Sequence, residues 1–246
     1  MNKAVIITAR TNSSRLNGKI LMKIGTTLRA IDIIIMRAKK INVPIILTTT
    51  KNKSDDKLCA YVKNKYNIKI FRGENLNKLK RWYNCFIKFK IKKAAIIDGD
   101  DVFFDFETYK KNLNSTANYQ ILSAPKNMIT GLFTHIITLE AMKQMKKLFS
   151  KEIDSEMIEP FLKKAKVKRR FLKPNKIFLN KKIRLTLDYV EDLILLRKIF
   201  KKLKIMSTSK QIVNFLIENK KISNFNYFRE EYWKKNQTRK IKSLVI

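Results

Sequence analysis

The chain has 246 residues, enough to bury a full core, and 45% of them are hydrophobic, which argues against disorder. Its 55 Lys and Arg stand against 20 Asp and Glu, for a formal charge of +35. No uncharged apolar run approaches the roughly 20 residues of a membrane span, and the run after Lys3 stops at Arg10, too short for the core of a secretory signal.

The charge by itself predicts contact with polyanions. Yet the lysines are scattered over every segment. The chain is also rich in Ile, Asn and Phe and holds only 5 Gly and 4 Pro, the composition an AT-biased coding sequence produces. A nucleic-acid binder interleaves basic and aromatic residues on one face. Here that occurs only in the tail, Phe225 to Ile246, so no specific nucleic-acid partner is expected. Cys59 and Cys85 sit on separate predicted helices without metal-ligand spacing and read as buried thiols of a cytoplasmic protein.

Taken in order, Ala4 to Ile7 is an apolar run fit for one buried strand. It ends in Thr8-Ala9-Arg10 and opens into Thr11-Asn12-Ser13-Ser14, with Arg15, Gly18 and Lys19 close behind. Backbone N–H groups in such a loop form an anion nest, and the cations add charge. The same residues also read as an ordinary surface loop in a lysine-rich chain. Leu28 to Lys40 has helical periodicity, and Val43 to Leu47 is a second buried strand running into Thr48-Thr49-Thr50. Ser54-Asp55-Asp56 caps a helix to about Tyr66. Ile68 to Phe71 is a short strand, Asn75 caps a helix to about Phe89, and Lys93 to Ile97 is a strand that ends in Asp98-Gly99-Asp100-Asp101. This alternation with short connections predicts βαβ units and a parallel sheet covered by helices on both faces.

Beyond about residue 114 the rhythm changes. Tyr119 to Ala124 and Leu132 to Ile137 read as strands, antiparallel candidates. Leu139 to Phe149 and Glu156 to Lys164 read as helices, and Lys168 to Lys173 and Lys182 to Leu187 as strands. Val190 to Leu203 and Ser207 to Asn219 are helical. One domain over 1–246 is expected, with a basic helical extension from about 205. His135, the only histidine, lies in an apolar stretch and reads as a packed strand residue before a catalyst.

Ligands of open α/β sheets bind beyond the carboxyl ends of the strands. That places the 10–19 loop, the Thr48–Lys53 turn, Arg72-Gly73 and the Asp98–Asp101 turn along one edge. The first offers cations and the last carboxylates. Carboxylates beside a polyanion site call for a bridging Mg²⁺; Asp100 is the candidate ligand, whereas Asp101 and Asp105 read as turn and cap residues.

The residues ITARTNSSRLNGK resemble the opening of the sugar cytidylyltransferases, A-R-x-x-S-x-R-L-P-G-K, of the spore-coat-polysaccharide type, with the sialic-acid (acylneuraminate) and KDO activating enzymes further off. Thr48–Thr50 with Asp55-Asp56, Phe71-Arg72-Gly73 with Leu79, Arg81, Trp82 and Tyr83, Gly99-Asp100 with Asp105, the Ser155–Phe161 stretch, and Arg184–Leu193 resemble further stations of that family in the same order. Asn12, Asn17, Asp98, Val102 and Tyr189-Val190 depart from its pattern.

The resemblance implies a Rossmann-like three-layer nucleotide-diphospho-sugar transferase fold with a mixed, mainly parallel sheet. It implies a homodimer that transfers CMP from CTP to an acidic or modified sugar for surface polysaccharide, releasing pyrophosphate. Ala9, Arg10, Ser13, Ser14, Arg15, Lys19, Thr49 and Arg72 would bind the nucleotide. Asp100 and Asp188 would hold Mg²⁺, with Arg15, Lys19 and Asp100 catalytic. Arg184 would fix Asp188 or face the ligand, and Arg72 and Arg81 would contact sugar or form ion pairs. An alditol or choline-phosphate acceptor, or a non-catalytic basic relative that binds nucleic acid or the envelope surface, are the competing readings.

Overall fold

The structure is a computed structural model and describes residues 1–149 and 153–242. The last four residues of the tail, 243–246, lie outside the described residues. In chain order the elements are β1 (Lys3–Thr8), α1 (Ala30–Lys39), β2 (Ile45–Thr50), α2 (Asp56–Tyr66), β3 (Lys69–Gly73), α3 (Lys78–Lys88), β4 (Lys93–Asp98), α4 (Phe106–Asn114), β5 (Ile121–Ser123), β6 (His135–Thr138), α5 (Leu139–Lys146), α6 (Glu159–Lys164), β7 (Arg169–Phe171), α7 (Val190–Lys202), α8 (Ser209–Glu218), α9 (Lys220–Ser223) and α10 (Phe228–Lys242).

The strands form one seven-stranded sheet in the order β3-β2-β1-β4-β6-β5-β7. β1 lies between β2 and β4 and is parallel to both, as its unbroken apolar run requires. Only β6 runs against its neighbours, antiparallel to β4 and β5, and β5 is parallel to β7. The change of rhythm after residue 114 thus reverses one strand of the two expected.

Alternation along the central strands builds a core on each face. Val5, Ile7, Ala95 and Ile97 pack into one cluster with α1, α7 and α8; Ala4, Ile6, Ala94 and Ile96 pack into the other with α3, α5 and α6. Within α3, Leu79, Trp82, Cys85 and Phe86 recur on one face and are fully buried. Trp82 Nε1 donates to Thr8 Oγ1 at 2.7 Å, so the helix is tied to the last residue of β1.

Two local expectations are corrected. Asn77, not Asn75, caps α3: its side chain accepts from Lys80 N. Residues 182–187 are not a sheet strand. They run extended past the carboxyl end of β4, held by Leu185 N to Thr130 O and Leu187 N to Asp100 O. The apolar residues of that stretch are buried between loops, which gives a strand-like pattern without an edge to pair with. The tail from 225 onward carries a fifteen-residue helix, α10.

Gly131 packs directly against the 182–187 segment. Its φ is +97°, and a Cβ there would lie 2.5 Å from the carbonyl carbon of Leu185. Both the conformation and the space exclude a side chain. Gly131→Ala is expected to lower stability by about 2–4 kcal/mol, read by denaturant unfolding; a loss under about 0.5 kcal/mol would show that the 184–188 segment moves freely off its support.

Candidate active site

A cavity of about 470 Å³ opens at the carboxyl ends of β1 and β4. The loop after β1 forms one wall. Thr11 turns it: the Thr11 N–H and hydroxyl both donate to Asp55 Oδ1 at 2.7 Å. The other carboxylate oxygen of Asp55 accepts from Thr49 and Thr50. Gly18 adopts φ 68° and donates its N–H to Thr11 O, closing the loop before the single helical turn that carries Lys19. The sequence marked Asp55 as a helix cap; the structure makes it the anchor of this loop.

The charged centre lies between that loop, the β4 exit and the 184–188 segment. Lys19 Nζ lies 2.9 Å from Asp100 Oδ2 and 2.8 Å from Asp188 Oδ1. Arg15 Nη2 reaches the same Asp188 oxygen at 2.7 Å. Arg184 Nη2 holds the second, Oδ2, at 3.1 Å, and its other nitrogens pair with Asp192 and Glu230. Arg184 is fully buried, so it fixes Asp188 instead of facing a ligand. Asp192, not Asp188, satisfies the start of α7, accepting from the N–H groups of Asp188 and Tyr189 at 2.8 and 3.0 Å. That leaves both Asp188 oxygens to the three cations.

Ala9, Arg10, Ser13, Ser14, Arg15, Lys19, Asp100 and Asp188 all line the cavity. Thr49 and Arg72 do not line it. Thr49 is fully buried with its hydroxyl on Asp55. Arg72 is turned toward the 50–56 turn, donating to Thr50 O, Asn52 O and Asp56 Oδ1. Arg81 borders the cavity and donates through Nη1 to the carbonyls of Glu74 and Asn75, and burial pulls its pKa down to about 10. Asp101 accepts from Thr134 Oγ1, and Asp105 caps α4 through Thr108 N.

The opposite wall comes from residues 124–135, from Glu156 to Glu159, and from α10, through Glu230, Trp233, Lys234 and Gln237. The α10 residues carried no site signal in the sequence beyond their four-residue spacing. His135 lies on this wall with Nδ1 3.0 Å from Ser123 Oγ. Burial, then Lys78 and Arg169, push its pKa down to about 3, so it is a neutral hydrogen-bonding group there and a poor base.

The carboxylates of Asp98, Asp100 and Asp101 have oxygens within 4.8 Å of one another. Burial, with Asp100 as neighbour, raises Asp98 above the usual carboxylate range against the pull of Lys78; burial and both neighbours raise Asp101 further. A set of hard oxygen donors short of positive charge suits a divalent cation such as Mg²⁺, and Asp100 and Asp188 already converge on one ammonium. These two residues fit as its holders.

Burial opposes the charged form of Asp188, but Lys19 and Arg15 outweigh it and hold the carboxyl well below its ordinary 3.8. Burial likewise opposes Lys19, and Asp100 and Asp188 outweigh it and raise the ammonium above 10.5. A lowered carboxylate adds stability above its unfolded pKa and loses it as pH falls through the folded one. A raised lysine adds stability below its unfolded pKa and loses it as pH rises through the folded one. Asp188 and Lys19 are therefore both charged across the neutral range. Asp188→Asn is expected to flatten the fall of Tm between about pH 4 and about pH 2.5 relative to the wild type, read by thermal unfolding; parallel curves would show that Asp188 is not the depressed group.

The chain is similar in sequence and in fold to known proteins. The chain is 28% identical over 227 residues to an uncharacterized protein of Methanocaldococcus jannaschii, covering 90% of this chain and 93% of that one. Its fold is similar to that of a cytidylyltransferase from Leptospira borgpetersenii, with a TM-score of 0.79 at 22% identity over 91% of this chain and 97% of the other. It is also similar to a CMP:2-keto-3-deoxy-manno-octonic acid synthetase complexed with CTP, with a TM-score of 0.61 at 12% identity over 82% and 99%. The sequence pattern of one family, described as cytidylyltransferase, matches residues 4–225. The chain belongs to the cytidylyltransferase family.

Proposed function

We propose that this protein transfers CMP from CTP to a hydroxyl of an acidic or modified sugar used in surface polysaccharide. The observation that carries this reading is the single centre where Lys19 meets both Asp100 and Asp188 at the mouth of the β1 loop. The sugar oxygen attacks the α-phosphorus, the bond to the bridging oxygen breaks, pyrophosphate leaves, and the hydroxyl proton passes to solvent. Arg10, Arg15 and Lys19 hold the triphosphate, and the loop N–H groups near Ser13 and Ser14 orient it. Asp100 and Asp188 would hold Mg²⁺, which when bound draws charge from the phosphate oxygens.

Lys19 and Arg15 gain phosphate oxygens at the cost of their carboxylate pairs, so the charge of the centre is exchanged rather than newly buried. Lys126 and Lys234 on the far wall, with Lys78 beside Asp98, favour an acceptor that carries an anionic group. Among the described residues no helix is long and apolar enough to cross a membrane. The protein acts in the cytoplasm as a homodimer in this reading, which rests on the family resemblance alone.

Pyrophosphate release measured with each of the four ribonucleoside triphosphates, Mg²⁺ and a panel of acidic sugars and alditol phosphates tests the assignment. CTP is expected to be the donor, and equal turnover with all four would remove base selection. Lys19→Ala is expected to raise the KM for CTP and to lower kcat by about 100-fold, and Asp100→Asn to lower kcat by a similar factor. Rates within threefold of the wild type for both would dismiss the charged centre as the site of reaction. Arg72→Ala is expected to leave the KM for CTP within about threefold, since the structure turns Arg72 away from the cavity; a rise above tenfold would return it to the nucleotide site.

A further inference from the structure

The family match ends at residue 225, and α10 begins at Phe228. This helix is nevertheless built into the cavity. Glu230 is buried and accepts from Thr130 Oγ1 and Arg184 Nη1, both at 2.8 Å. Trp233 lies 5.5 Å from the Arg184 guanidinium. Lys240 bonds Glu156 at 2.8 Å, and Arg10 reaches the same carboxylate at 3.7 Å. The helix thus runs from the Asp188 support to the nucleotide-side loop, along the cavity mouth.

Its polarity is inverted. A helix that packs only for stability turns an apolar stripe inward. In α10 the large apolar residues Phe228, Tyr232 and Ile241 face solvent, at 59%, 55% and 36% exposure. The cavity side carries Glu230, Trp233 and Gln237 at three- and four-residue spacing. Gln237 Oε1 is buried and has no hydrogen-bond partner among the described residues. A buried acceptor without a donor costs stability unless a bound group supplies one. An aromatic ring beside an amide that wants a hydroxyl proton is the chemistry of carbohydrate recognition: the ring covers the C–H face of a sugar and the amide accepts from one of its hydroxyls.

We propose that α10 is the acceptor wall of the active site and that Trp233 and Gln237 are its specificity-determining residues, contacting the ring and a hydroxyl of a carbohydrate acceptor. This rests on the reading of the cavity as a CMP-transfer site and names the element that selects the acceptor.

The test is steady-state pyrophosphate release from CTP with Mg²⁺ and the sugar panel for the wild type, Trp233→Ala, Gln237→Ala and Gln237→Glu. For the sugar the wild type uses, Trp233→Ala and Gln237→Ala are expected to raise its KM at least tenfold with the KM for CTP changed less than threefold. Gln237→Glu, which keeps an acceptor oxygen, should restore most of the loss. An unchanged sugar KM, or equal rises for sugar and CTP, overturns the proposal while leaving CMP transfer standing. Circular dichroism melts of each variant separate a folding loss from a binding loss.

A second measurement does not depend on turnover. The chain has two tryptophans, Trp82 and Trp233, so Trp82→Phe leaves Trp233 as the sole indole. The same sugars are titrated onto this variant, saturated with CTP and Mg²⁺ if calorimetry shows that CTP binds and alone if it does not. A saturable change in Trp233 emission supports the proposal, and a flat titration with every sugar overturns it. Absence of CTP binding by calorimetry overturns the transferase reading separately.

Discussion

The constraint on which this molecule turns is the triple hold on Asp188. One carboxylate takes Arg15 and Lys19 on one oxygen and Arg184 on the other, in a setting almost sealed from water. Burying four charges is costly unless each finds its partners. Here each does: Arg184 continues to Asp192 and Glu230, and Lys19 continues to Asp100. The network ties the β1 loop to the 184–188 segment. It also keeps a cluster of cations at the cavity in a form that a polyphosphate can take over, because the same groups that balance carboxylates bind phosphates in the same geometry.

Much of the fold was legible because burial imposes simple patterns. Ala4–Ile7 could only be a covered strand, and Leu79, Trp82, Cys85 and Phe86 could only be the inner face of a helix. Loops were harder. Residues 182–187 have the composition of a strand, yet their neighbours are other loops, and no local pattern distinguishes a sheet edge from a loop-lined groove. The site divided along the same line. Arg15, Lys19, Asp100 and Asp188 reach one cavity because each lies within a few residues of a strand end or helix start whose place the topology fixes. Thr49 and Arg72 lie equally near a strand end, but Asp55 and Asp56 draw their side chains away, and such a competition among polar groups leaves no trace in spacing. Glu230, Trp233 and Gln237 were hidden for a third reason: their helix has no apolar stripe to announce which face is turned inward.

The charge of the chain also reads differently once its acids are placed. Asp98, Asp100, Asp101, Glu156, Glu159, Asp188 and Glu230 all border the cavity, seven of the chain's 20 acidic residues. The lysine excess is spread over the rest of the surface, and the scarce negative charge is gathered where partners and ligands need it. A surface of that kind draws in a polyanionic nucleotide from a distance and screens strongly with salt.

The bonds from Arg15 and Lys19 to Asp188 span 173 and 169 residues of sequence. A ribosome exposes β1 and its loop long before it makes the segment that neutralises them, and Glu230 follows later still. During synthesis the loop therefore emerges well before its main counter-charges, and the charged centre comes into being only after Asp188 and Glu230 have been made. A chain released before Asp188 carries all seven strands of the sheet but lacks this ion-pair centre.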